Sequence, residues 1–183
     1  MQAKDAATLI KTKLVPPVVS TNQVCRSRLL SELTGSDQYK LVLLTAPAGF
    51  GKTTYLGQLY QSLVDHGGAS AWLTLGPVSR LPESFLRYFI AALQTIDPDL
   101  GSGSLERLNN ASVKDITDEL GSLANDLMLF QGSVYLFIDN IQSGESDVIE
   151  HFIELLLDVS PPNFHLVLAS RALLGFSLAR LMV

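Results

Sequence analysis

The run Leu41-Val42-Leu43-Leu44-Thr45-Ala46-Pro47-Ala48-Gly49-Phe50-Gly51-Lys52-Thr53-Thr54 sets the terms for the whole chain. An apolar stretch ends in a small, glycine-containing turn. The turn closes on Gly-Lys-Thr-Thr, and a helical pattern follows. The order is strand, phosphate-binding loop, helix. Gly49 and Gly51 allow backbone angles that residues with a Cβ avoid. Successive N–H groups then point into one concavity that suits phosphate oxygens. The loop opens a helix, whose N-terminal partial positive charge favours an anion. Lys52 is placed to reach the β- and γ-phosphates, and the Thr53 hydroxyl to ligate Mg²⁺. The usual spacing is G-x-x-x-x-G-K-[ST]; here Ala46 stands in the first position and is small enough to keep the turn.

Patterning on either side extends this unit. Met1 to Ser20 reads as an arm kept extended by Pro16-Pro17. Thr21-Asn22 offers caps for a short helix through Val24, Leu29, Leu30 and Leu33, closed by Gly35. Lys40 to Thr45 is a strand buried on both faces, as in a parallel sheet. Lys52 to Asp65 is the first long helix, stopped by His66-Gly67-Gly68. Ala69 to Leu75 is a second strand. Pro82 starts a helix carrying Phe85, Leu86, Phe89, Ile90 and Leu93 at helical spacing, ended by Asp97-Pro98. Asp99 to Ala111 is rich in Gly, Ser and Asn and reads as a mobile loop. Ser112 and Asp115 resemble a capping box, with a helix running to about Phe130. Ser133 to Asp139 is a third strand, Ser146 to Val159 a helix, and Phe164 to Ser170 a fourth strand.

Strands that alternate with helices imply right-handed parallel crossovers. The expected fold is α/β, a three-layer α/β/α sandwich around a mostly parallel sheet of four main strands. Ligands of such sheets bind outside the C-terminal ends of the strands. Lys52, Asp139 and Arg171 all follow strand ends.

Composition narrows the function classes. The chain has 183 residues, a length that suits one domain with a real core. Charged residues make up 17%, against roughly 25% in typical soluble domains. A chain this apolar can have surfaces meant for cover. The net charge of −5 argues against a broad basic face for nucleic acid. Cys25 is the single cysteine, so a disulfide framework and a cysteine metal site are excluded, which fits a reduced, cytoplasmic setting. His66, His151 and His165 are scattered without metal-ligand spacing. The N-terminus has no signal-peptide core, and no apolar run approaches membrane-spanning length.

Asp139, an acid at the end of an apolar strand, fits the Walker B position and can hold Mg²⁺ together with Thr53. Asn140 follows it. An amide can hydrogen-bond a water but cannot take its proton; Glu145 and Asp147 in the following loop are alternatives. Arg171 is placed to clamp a γ-phosphate from the neighbouring strand. Asp139, Asn140 and Arg171 are thus the candidate catalytic group.

With these residues in view, the chain resembles the nucleotide-binding domain of the STAND class of P-loop NTPases, and within it the MalT-like, LuxR-type transcription regulators. The similarity rests on Thr12-Lys13-Leu14-Val15-Pro16-Pro17, on Val24-Cys25-Arg26-Ser27-Arg28-Leu29-Leu30, and on the Walker A string Ala46 to Thr54. Ala71-Trp72-Leu73, Phe85 to Leu93, and His165 to Arg171 add to it. The resemblance implies that residues 1–36 form an arm and helix contributing to an adenine pocket through Val24 and Arg26. Residues 37–183 form the nucleotide-binding domain. Ala48, Gly49, Phe50, Gly51 and Lys52 would hold phosphate. Thr53 would bind metal, Thr54 would meet the α-phosphate, and Arg171 would be a sensor arginine. It also implies an ATP/ADP switch using Mg²⁺, with slow hydrolysis, self-association of the full-length protein, and a small-molecule or protein inducer acting through other domains.

Two departures stand out. The family often has two acids where this chain has Asp139-Asn140, which bears on hydrolysis and not on binding. The residues after Trp72, Leu73-Thr74-Leu75-Gly76-Pro77, lack the acids usual there. The family also continues past this point with a further strand, a helical subdomain, a winged helix, a repeat array and a helix-turn-helix. The expectation is therefore an excised domain that does not itself bind DNA or membrane, with the edge of the first strand open. The rival functions are an active P-loop ATPase or kinase and a nucleotide-bound scaffold that does not hydrolyse.

Overall fold

The computed structural model describes residues 9–18, 39–76, 82–110, 116–141 and 147–171. The helix expected around Val24 and Arg26, the Ser112/Asp115 cap, Glu145 and the tail after Arg171 lie outside them. The described chain contains strands β1 (Leu41–Thr45), β2 (Ala69–Thr74), β3 (Val134–Ile141) and β4 (Phe164–Ser170). It also contains helices α1 (Lys52–Asp65), α2 (Pro82–Leu93), α3 (Ser102–Asn109), α4 (Ile116–Leu129) and α5 (Asp147–Val159), with a short 3-10 turn at Lys11–Leu14. All strand pairs are parallel, in the order β1-β4-β3-β2. Among the described residues β1 pairs on one side only, with β4.

Alternation along each strand sorts the side chains into two cores. Ala71, Leu73 and Leu75 of the β2 segment join Val134, Leu136 and Ile138 of β3 and Phe164, Leu166 and Leu168 of β4. They pack against α2, α4 and α5 through Phe85, Phe89, Leu120, Leu123, Phe152 and Leu156. The opposite parity, Trp72, Phe137, Val167 and Ala169, packs against Leu56, Leu59 and Leu63 of α1. Helix, sheet and helices form the three layers. Each large side chain so buried contributes about 1.5–3 kcal/mol. Aromatic geometry adds fit on both sides: Phe85 and Phe152 meet edge to face at 4.7 Å, and Trp72 stacks on Phe137 at 6.0 Å. The buried Trp72 indole donates its N–H to Thr74 Oγ1 at 2.8 Å.

Two sequence expectations are corrected. The segment read as a mobile loop contains α3. Its glycine, serine and asparagine content gives weak helix propensity, and packing decides the outcome. Leu108 is buried, and Gly101 caps the helix start at a φ of +69°. Arg107 reaches across from α3 to Glu119 of α4, donating Nε to Oε1 at 2.9 Å and Nη2 to Oε2 at 2.8 Å, and Nη2 to Ser104 Oγ at 3.1 Å. Glu119 is buried, and the guanidinium holds its carboxyl below the usual carboxylate range against the upward push of burial. The second correction concerns β3, which runs past Asp139 to Ile141 through a bulge.

The arm segment docks beside β2 and α2. Leu9 and Leu14 pack on the larger core, and the Ile10 N–H donates to Tyr88 Oη at 3.1 Å. Lys13 is the uncomfortable member. Its ammonium is shut off from solvent without a hydrogen-bond partner among the described residues, and lies 5.3 Å from the Tyr88 ring centre. A Cβ on residue 76 would stand 2.7 Å from that nitrogen, so Gly76 makes the room for it. Loss of solvent lowers the Lys13 pKa. The folded state therefore disfavours the charged form. The resulting destabilisation is full at neutral pH and fades as pH rises through the lowered folded value towards 10.5. Lys13→Met, which keeps the length and the ring contact without the charge, is expected to raise Tm at pH 7, with a smaller gain at pH 10. Thermal melts at both pH values check this; a lower Tm for the variant at pH 7 would contradict it.

Candidate functional site

The C-terminal ends of β1, β3 and β4 open into a cleft of about 310 Å³. Ala48, Gly49, Gly51, Lys52, Thr53, Thr54, Asp139, Asn140, Ala169, Ser170 and Arg171 line it. That volume lies at the lower end of the range for ligand pockets. Of the residues singled out in the sequence, Phe50 is not among its lining, and its side chain is 64% exposed. Val24 and Arg26 lie outside the described residues. Ala169 and Ser170 were not foreseen. Their signal was their place at the end of the strand between β1 and β3, next to Arg171.

The loop is built for an anion. Gly49 and Gly51 have φ of +83° and +77°, in the left-handed region that glycine enters freely. Gly51 is also the N-cap of α1 and brings no side chain to the first turn. The leading amides of α1 thus have no capping group from Gly51 and face the cleft. Lys52 folds back over the loop, donating Nζ to the Ala46 carbonyl and, at 2.8 Å, to the Pro47 carbonyl. An ammonium parked on two carbonyls can exchange them for phosphate oxygens with little movement.

Strand parity delivers the acid. Phe137 faces α1, so Asp139, two residues on, faces the start of α1 as well. The Thr53 hydroxyl donates to Asp139 Oδ2 at 2.8 Å. Asp139 is 5% exposed and is the only carboxylate among the described residues lining the cleft. The described residues contain no cluster of three His, Cys, Asp or Glu. One carboxylate and one hydroxyl are too few for a cage. They are a fit donor set for a hard cation that takes its remaining oxygens from water and phosphate, as Mg²⁺ does. His165 is buried elsewhere, stacked on Tyr135 at 4.7 Å.

No family model matches the chain. The HTH-type transcriptional regulator MalT of Klebsiella pneumoniae subsp. pneumoniae is 33% identical over 175 residues, covering 96% of this chain and 19% of that protein. The chain is MalT-like. The MalT of Serratia proteamaculans is 34% identical over 179 residues, with the same two coverages of 96% and 19%. The MalT-like chain spans about a fifth of the length of these curated relatives. Among solved structures, PCH-2 of C. elegans overlaps with a TM-score of 0.40 at 18% identity, covering 84% of this chain and 37% of that one, a likeness too slight to carry an argument. Among the described residues, no helix of the MalT-like chain is long and apolar enough to cross a membrane.

The positive φ at Gly51 has a measurable consequence. A Cβ there would meet nothing within 4 Å, so substitution acts through backbone strain alone. Gly51→Ala is expected to destabilise by about 1–2 kcal/mol. Urea unfolding measures this, and an unchanged midpoint at unchanged slope would contradict it.

Proposed function

We propose that the chain is an ATP/ADP-binding switch domain of a signal-responsive transcriptional regulator. The observation that carries this reading is the Thr53–Asp139 hydrogen bond at the mouth of a glycine-bent loop. It joins the two halves of a metal-and-phosphate site from residues 86 apart in sequence. The similarity to proteins named as transcriptional regulators supports the regulatory half of the reading.

In this reading the loop amides from Ala48 to Lys52 and the Lys52 ammonium hold the phosphates, and Thr54 meets the α-phosphate. Thr53 and Asp139 hold Mg²⁺, which would neutralise phosphate charge when bound. Arg171, at the end of β4, reports whether a γ-phosphate is present. Residues 1–36 contribute to the adenine pocket, and residues 37–183 form the nucleotide-binding unit. Hydrolysis is slow, because Asp139 is the only carboxylate among the described residues lining the cleft and is already committed to Thr53. A carboxylate so held is a poor general base. Sensing of an inducer and self-association belong to the longer protein. Specific DNA binding is not a property of this segment.

Thermal unfolding with ADP, with ATP plus Mg²⁺, and without nucleotide tests the reading. A ligand at a hundred times its Kd stabilises by about 2.7 kcal/mol, which shifts Tm by about 5–10 °C in a domain of this size. Wild type is expected to shift, and Lys52→Ala is expected to melt at the same temperature as unliganded wild type and not to shift. No shift and no binding by wild type at millimolar nucleotide would overturn the proposal.

A further inference from the structure

Asn140 breaks the local rule of β3. Its φ is +65°, and it is the one non-glycine residue with a positive φ among the described residues. The strand carries an extra residue here. Ile138 pairs with Leu168 and Ile141 with Ser170, so three steps along β3 face two along β4. A bulge of this kind re-aims side chains. Ile141 returns to the larger core, on the face that parity alone would deny it.

The turn is pinned on both sides of Asn140. Its backbone N–H donates to Asp139 Oδ1 at 2.8 Å. Its side-chain amide donates Nδ2 to the Leu75 carbonyl at 3.3 Å, and the Leu75 N–H donates to the Asp139 carbonyl at 3.0 Å. Asp139 therefore hangs between two donors, with Oδ1 held by the Asn140 backbone and Oδ2 by Thr53. The carboxylate cannot rotate without breaking one of them. Asparagine suits such a place, because it enters the left-handed region more readily than other residues with a Cβ.

We propose that Asn140 is a positioning residue for Mg²⁺: its left-handed backbone turn aims the Asp139 carboxylate at Thr53. The inference rests on the nucleotide reading above and assigns Asn140 a role through Asp139, without contact to the reacting atoms. Groups that orient a metal ligand are typically worth 10–100-fold in metal affinity.

Two substitutions isolate the turn. Asn140→Ala and Asn140→Gly both remove the side-chain amide, so a difference between them belongs to the backbone. The measurement is ADP affinity by titration calorimetry, in Mg²⁺ and in EDTA. Asn140→Ala is expected to lose about tenfold of the Mg²⁺-dependent gain in affinity, read as the ratio of its own ADP affinities in Mg²⁺ and in EDTA. Asn140→Gly is expected to keep most of that gain. Equal Mg²⁺ dependence in wild type and Asn140→Ala, or equal losses in the alanine and glycine variants, would overturn the positioning role and leave the nucleotide reading intact. A wild-type chain that does not bind ADP at all would overturn both.

Discussion

A parallel sheet packed by helices on both faces leaves its strands no free choice of side. That constraint organises this molecule. Phe137 is committed to the core beneath α1, and Leu136 and Ile138 to the core beneath α2, α4 and α5. The parity that buries Phe137 delivers Asp139 to the start of α1, where Thr53 meets it. The site is thus a by-product of packing. A one-residue slip of β3 would turn Asp139 away from α1 and bury Tyr135 in the wrong layer. Retaining the core and retaining the site are the same requirement along this strand.

The loop between β1 and α1 answers a different demand, which is to gather amides without covering them. A side-chain cap at the start of α1 would stabilise the helix by about 1 kcal/mol. Gly51 forgoes that and leaves the first turn open. Lys52 meanwhile rests on the carbonyls of Ala46 and Pro47. The helix end is kept ready for a ligand's charge, at the expense of its own cap.

Much of this was legible in the sequence because each signal was local. The loop spacing, the apolar strands, the helix α1 and the acid ending an apolar run each need only their neighbours to be read. The cleft-lining residues Ala48, Gly49, Gly51, Lys52, Thr53, Thr54, Asp139 and Arg171 followed from those signals, and Phe50 did not join them. What escaped was set by distant partners. α3 carries glycine, serine and asparagine and forms because Arg107 finds Glu119 and Leu108 finds the core. The bulge in β3 is invisible to alternation, because it is the place where alternation fails. Lys13 read as part of an extended arm, and only the fold brings its ammonium against Gly76 and the Tyr88 ring.

The rule-breaking residues gather in one place. Asn140 takes a left-handed backbone, and its amide grips the Leu75 carbonyl. Gly76, the next residue, faces the Lys13 ammonium, which has no hydrogen-bond partner among the described residues. The end of β2 is therefore held from one side by the strand that carries Asp139 and from the other by the arm. Strain and buried charge persist only where the surroundings over-determine them, and they collect at functional rims. Here both press on the same two residues, Leu75 and Gly76. The arm and the Asp139–Asn140 turn thus meet two consecutive residues at the end of one strand.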